Sequence, residues 1–236
     1  MSEQNQVNPS QAFKKPIQPL KILVVGATGG SGKAAVEKLL DDGHTVTAFS
    51  RSATGLNRRS EKLIPIDGDI GDITTLDLAM RGQDAVVVTL GISENPLRVR
   101  FWGAAHTPDN VRSRGTSHVI TSMRKHNVRR LIVQTSFGIG ETQGLLGFVD
   151  QLLFNLILKP QMLDTERQEV LVRDSDVDWV IVQPVHLTDK DTNETPFWSL
   201  DGKTRLMTVA RKSVAEFLAL AARDPDYIGK SVAVSG

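Results

Sequence analysis

The stretch VVGATGGSGKAA, Val24 to Ala35, decides how the chain is read. Before it stands an apolar run rich in β-branched residues, KILVV at 21–25. A short run of that kind, bounded by glycine, reads as a strand buried on both faces. After it comes GGSGKAAVEKLLDDG, in which Ala35, Leu39 and Leu40 share one helical face and Gly43 supplies the stop. Between strand and helix stand Gly26, Gly29 and Gly32, spaced G-x-x-G-x-x-G. Gly26 permits the tight turn, Gly29 lets the backbone approach a pyrophosphate, and Gly32 lets the helix pack closely on the sheet. The loop, with Gly30, then offers phosphates the free N–H groups and positive dipole end of a helix. The hydroxyls of Thr28 and Ser31 add donors. The same residues nearly spell the triphosphatase phosphate loop, G-x-x-x-x-G-K-[ST]. Ala27 and Ala34 break that pattern, and without a hydroxyl at 34 the magnesium ligand is missing, so ATP hydrolysis is excluded.

Working outward, HTVTAFS, KLIPIDGD, DAVVVTLG, RRLIVQTS, DWVIVQPVH and KSVAV read as further strands. ITTLDLAMRG, LDTERQEVLVRDS and residues 212–222 read as helices. Another helix opens at Thr107-Pro108, an N-cap followed by proline, and runs to about Asn127. Strands alternate with helices, which predicts an α/β fold: a doubly wound, mostly parallel Rossmann sheet in a single domain. Ligands bind such sheets outside the carboxyl ends of the strands. The exits that matter are Gly26, Ser50-Arg51, Leu90-Gly91, Thr135-Ser136 and Pro184 to His186.

Bulk composition narrows the function. The 236 residues are 40% hydrophobic, enough for one sizeable core, and residues 20–236 are expected to form it. Residues 1–19 are polar, lack an apolar signal region and read as a flexible arm. A net charge of +1 gives no reason to expect nucleic acid or an anionic membrane as partner. The absence of cysteine excludes disulfides, thiolate catalysis and cysteine-bound metal, and fits a reducing, cytoplasmic setting. The apolar stretch 144–158 contains Asp150 and is too short to span a bilayer. No His/Asp/Glu cluster has metal-ligand spacing, so no metal is expected. The oligomeric expectation is a monomer or weak homo-oligomer.

The cofactor reading turns on the second strand's exit. An acid there would bind a ribose diol, but the chain reads AFSRSATG. Arg51 stands where the ribose is expected, and a guanidinium suits a 2′-phosphate. That selects NADP(H), with Arg58 and Arg59 as further cations nearby. Asp69 could accept from the adenine amino group while Ile70 packs on the ring, and a turn role for Asp69 is open beside that.

With G-A-T-G-x-x-G, the GD after the third strand, QDAVVVTLG and the strand-end TS in place, the chain resembles the atypical short-chain dehydrogenase/reductase superfamily. DSDVDWVIVQPVHLTD narrows the resemblance to the group holding NmrA-like proteins and biliverdin-IXβ (flavin) reductase. The superfamily's usual Tyr-x-x-x-Lys pair has no match in LDTERQEV, and the one tyrosine, Tyr227, lies near the C-terminus. Alcohol dehydrogenation by that route is therefore not expected. The biliverdin-IXβ/flavin pattern needs no tyrosine, and Ser136 and His186 match its strand-end serine and its histidine. The resemblance implies an NADPH-dependent reductase with a small flat substrate, a bilin or flavin. The NmrA-like alternative is a non-catalytic, redox-sensing NADP(H)-binding regulator.

Ser136 lacks the glycine of a nucleophile elbow, because Gln134 stands in its place. It is left as a hydroxyl beside the nicotinamide or as a turn cap. His186 is either a general acid or a hydrogen-bonding group. Leu90, Gly91 and Pro184 are expected along the cofactor. Phe137, Phe148 and Trp102, with Phe101, are expected to wall an apolar acceptor slot. Arg98, Arg100, Arg112 and Arg114 could meet acidic groups of a substrate. His44, His118 and His126 read as structural.

Overall fold

Side chains alternate along the strands and feed two separate cores. In β1 (Lys21–Val25), Ile22 and Val24 face one side of the sheet and Leu23 and Val25 the other, and all four are buried. This period of two explains why the strands read as continuous apolar runs: both faces are covered. The computed structural model describes residues 18–91, 109–145, 159–192 and 194–236, with side chains from 162 onward in the third of these.

Seven strands join β1 in one sheet: β2 (Thr45–Ser50), β3 (Leu63–Asp67), β4 (Ala85–Val88), β5 (Arg130–Gln134), β6 (Asp178–Pro184), β8 (Phe197–Ser199) and β10 (Lys230–Ser235). The order is β3-β2-β1-β4-β5-β6-β10-β8, parallel throughout except for β8, which runs antiparallel to β10. The strand order reverses between β1 and β4, so a crevice opens there at the carboxyl ends. Two short strands, β7 (His186–Thr188) and β9 (Thr208–Ala210), pair in parallel outside the main sheet.

Helices α1 (Gly30–Asp41) and α5 (Arg211–Arg223) cover one face, and Leu39, Val36, Val214, Phe217 and Leu218 pack on Ile22, Val24 and Val232. Helices α2 (Ile73–Met80), α3 (Val111–His126) and α4 (Lys159–Arg173) belong to the other, with Leu76, Met80, Val119, Met123 and Val172 on Leu23, Val86 and Leu131. Each such side chain taken from water stabilises the fold by about 1.5–3 kcal/mol. Asp72 caps α2 by accepting from the backbone of Thr74 and Thr75. His44 is fully buried and accepts from the Leu20 N–H through Nδ1 at 3.0 Å.

The doubly wound architecture is as expected, with differences of detail. Helix α3 begins at Val111 after Asn110, and Thr107-Pro108 lies outside the described residues. Helix α4 starts at Lys159, so it does contain a lysine, in its first turn. Strands β7, β8 and β9 are three residues each, too short for an alternation signal to separate them from loop. Tyr227 is buried, and its hydroxyl accepts from Trp198 Nε1 at 3.1 Å. Among the described residues no helix is long and apolar enough to cross a membrane, and no group of three His/Asp/Glu could hold a metal.

Candidate dinucleotide and acceptor site

The glycine loop is built so that no side chain can replace Gly26 or Gly32. Gly26 has φ +85°, and a Cβ there would lie 2.9 Å from the Thr89 carbonyl oxygen. A Cβ on Gly32 would lie 2.1 Å from the Gly26 carbonyl oxygen, a clash with backbone that no rotamer relieves. The turn is closed by Gly29 N–H donating to Gly26 O and tied to β2 by Gly26 N–H donating to Phe49 O. Gly29 caps α1 without any side-chain hydrogen bond and no acid stands in the first turn. Those N–H groups and the dipole end remain for an anion, so the loop fits a dinucleotide phosphate. Gln134, at the end of β5, donates to Ser31 Oγ at 3.1 Å, which leaves the Ser31 proton to donate onward.

Beside the loop lies a cavity of about 470 Å³. From the first strand exit Gly26, Thr28, Gly29 and Gly30 line it, and from the second Ser50 and Arg51. The third and fourth contribute Asp69, Ile70, Leu90 and Gly91. Asp69 closes its own turn, accepting from Gly71 N–H at 2.8 Å through one carboxylate oxygen. Ser31, Gly32 and Pro184 are not part of the lining.

Of one wall the sequence flagged Arg114 alone. Asn110, at the N-cap of α3, and Val111, Arg114, Gly115 and His118 within it line the same cavity. Gly115 allows the approach, since a Cβ there would lie 2.5 Å from Leu90 Cδ1 and 2.9 Å from Ile70 Cγ1. A glycine inside VRSRGTSHVI was the available signal, because it costs a helix about 1 kcal/mol and asks for a packing reason. His118, read as structural, holds its ring Nδ1 2.9 Å from the Ile70 carbonyl oxygen and also lines the cavity. His126 sits 3.6 Å from Asp77 in a separate cluster between α2 and α3.

The arginines separate in the same way. Arg51 and Arg114 face the cavity, whereas Arg58 pairs with Asp41 at 2.6 Å at the far end of α1. Arg112 donates to the Leu90 carbonyl at 3.0 Å, and burial pushes its guanidinium below the usual arginine range, against the raising effect of Asp164. Asp164 of α4 accepts from the Arg112 and Ser113 N–H groups and so caps α3 from a neighbouring helix. Arg98, Arg100, Phe101, Trp102 and Phe148 lie outside the described residues.

At the other end of the crevice, β5 and β6 bring Ser136 beside Pro184: Phe137 N–H donates to Pro184 O at 3.0 Å. Ser136 is partly exposed and its Oγ donates weakly to Phe137 O at 3.3 Å. Phe137 corrects the sequence reading. Its ring is 2% exposed and packs in the α1/α5 core, so it cannot wall a slot. His186 is exposed and starts β7, with its N–H donating to Met207 O. Below the Ser136 turn lies a carboxylate that the sequence did not flag. Glu169 of α4 is 1% exposed and accepts from Thr135 Oγ1 at 2.6 Å, Gln183 Nε2 at 2.9 Å and Arg173 Nη2 at 2.8 Å. Gln183 also donates to Ile139 O at 2.8 Å. Gly140, with φ +56°, admits this carboxylate, since a Cβ would lie 2.3 Å from Glu169 Oε2. The network fixes the turn that carries Ser136.

A family model described as NAD(P)H-binding matches residues 26–225. The chain belongs to the NAD(P)H-binding family. It is 31% identical over 119 residues to the 2-alkyl-3-oxoalkanoate reductase of Stenotrophomonas maltophilia, covering 48% of this chain and 32% of that one. It is 26% identical over 222 residues to the (4-alkanoyl-5-oxo-2,5-dihydrofuran-3-yl)methyl phosphate reductase of Streptomyces griseus, covering 91% and 67%. The match thus spans about a third of the first relative's length and two thirds of the second's. Among solved structures, the anaerobillin reductase ChuY of Escherichia coli O157:H7 superposes with a TM-score of 0.72 at 19% identity, over 91% of this chain and 96% of that one. That likeness is one of fold.

Proposed function

We propose that the protein is an NADPH-dependent reductase of a flat conjugated acceptor, a bilin or a free flavin. The observation that carries the reading is the pairing of a cavity holding Arg51 at its ribose end with a strand-end Ser136 that has no tyrosine beside it among the described residues. Both curated relatives are reductases, which supports the reaction class. NADPH, when bound, supplies a hydride, and the acceptor takes that hydride plus one proton from solvent or a weak acid. The protein's part is then to hold two flat rings at reacting distance, exclude water and hydrogen-bond the acceptor. Ser136 donates to the acceptor or to the carboxamide beside it, and His186, exposed at the neighbouring exit, gives the acceptor its proton or relays one from solvent. Arg51 takes the 2′-phosphate and so prefers NADPH to NADH.

The test is turnover. NADPH is mixed with FMN, riboflavin or biliverdin and its absorbance followed. Oxidation by at least one acceptor is expected, and Ser136→Ala should slow it about tenfold with NADPH affinity unchanged. Tight NADPH binding with no turnover would sink the reductase reading in favour of a redox-sensing NADP(H)-binding regulator.

A further inference from the structure

Helices α1 and α5 lie side by side and parallel. At one end Gly30 meets Arg211, further along Lys38 and Asp42 act on Glu216, and beyond the far end His44 feels Arg223. Both N-termini therefore sit at the carboxyl edge of the sheet, where the glycine loop is. Arg211 is the first residue of α5, and its side chain lies across the loop. A Cβ on Gly30 would stand 2.7 Å from Arg211 Nε and 2.9 Å from Cδ. The same Gly30 lines the cavity. Arg211 and Lys212 place two cations in the first turn of α5, where the helix dipole disfavours positive charge and no side chain caps the end. What offsets that placement in the fold is two solvent-exposed carboxylates, Asp189 for Arg211 and Asp191 for Lys212. Arg211 has a counter-charge, Asp189, with Nη1 to Oδ1 at 2.6 Å. The Asp189 side chain is 86% exposed, so the pair is strongly screened and easily exchanged.

We infer that Arg211 is a further dinucleotide-binding residue. Its guanidinium reaches over Gly30 to a diphosphate oxygen, and Asp189 competes with that oxygen for it. A planar fork with several donors suits the double hydrogen bonding that a phosphate offers. Asp189, on the segment after β7, tunes how tightly the cofactor is held. The inference rests on dinucleotide binding at the glycine loop, the family property, and not on the acceptor, so failure of the reductase reading leaves it standing.

The test measures binding by titration calorimetry with NADP⁺, NAD⁺ and adenosine 2′-phosphate, which lacks the diphosphate. Arg211→Gln should weaken NADP⁺ and NAD⁺ by the same factor, about tenfold. Its affinity for adenosine 2′-phosphate should not change. Asp189→Asn should act in the opposite direction and tighten both dinucleotides about threefold. A bridge that only braces the fold would make the two variants weaken binding alike, and that result overturns the inference. So does unchanged dinucleotide affinity in Arg211→Gln, whether or not the Michaelis constant of an acidic acceptor rises. Should Arg211→Gln fail to fold, Asp189→Asn decides alone: tighter binding supports the inference, and equal or weaker binding overturns it.

Discussion

At Arg51 the proposed preference for NADPH over NADH rests on a single guanidinium. The position was readable because the loop-to-ribose spacing is fixed by the βαβ unit, and the structure puts Arg51 on the cavity wall. Arg51→Ala should raise the Michaelis constant for NADPH about tenfold or more and that for NADH little, measured by initial rates with each cofactor. Equal changes would mean that no 2′-phosphate is bound there. Arg58, Phe137 and Glu169 were not legible, for different reasons. Arg58 is seven positions past Arg51, but Asp41 draws it to the opposite end of α1. Phe137 follows a strand exit, and which way a turn throws a side chain is not written in local sequence. Glu169 gives no local sign of burial, because three of its partners come from other strands or a later turn of α4.

Elements were more legible than residues wherever they were long. The apolar strands and the helices α1, α2 and α5 carry their periodicity openly, whereas β7, β8 and β9 do not. The relation between elements is harder still. Helix α3 reaches the cavity only because Gly115 lets it close on Ile70 and Leu90, and its N-terminus is capped by Asp164 from α4. Helix α4 in turn anchors the Ser136 turn through Glu169. Glu169→Ala removes the acceptor that three donors share: Thr135 Oγ1 loses its buried partner, while Gln183 keeps Ile139 O and Arg173 keeps Ser231 Oγ. It should cost about 3 kcal/mol in urea unfolding and lower turnover by displacing Ser136. Loss of stability without loss of turnover per folded molecule would separate the network from the site.

For the whole molecule, protons bear on stability through His44. Burial lowers its pKa below the ordinary 6.5, with Arg223, Lys62 and Lys38 pushing the same way and Asp42 against. The folded state therefore favours the neutral ring. The stability this confers is fully present above pH 6.5 and is lost as pH falls from there through the folded-state pKa. Urea unfolding should show a midpoint that declines as the pH falls below about 6.5, and His44→Gln should flatten that decline. The sheet order has a consequence of another kind, for synthesis. Strand β8 pairs only with β10, and β10 lies between β6 and β8. Until residues 230–235 have left the ribosome, β6 is a raw apolar edge and β8 has no place to dock. A nascent chain stalled short of that point carries an open β-template, the state in which strand exchange and aggregation begin, and a chaperone that shields β6 in that interval would raise the yield of folded protein.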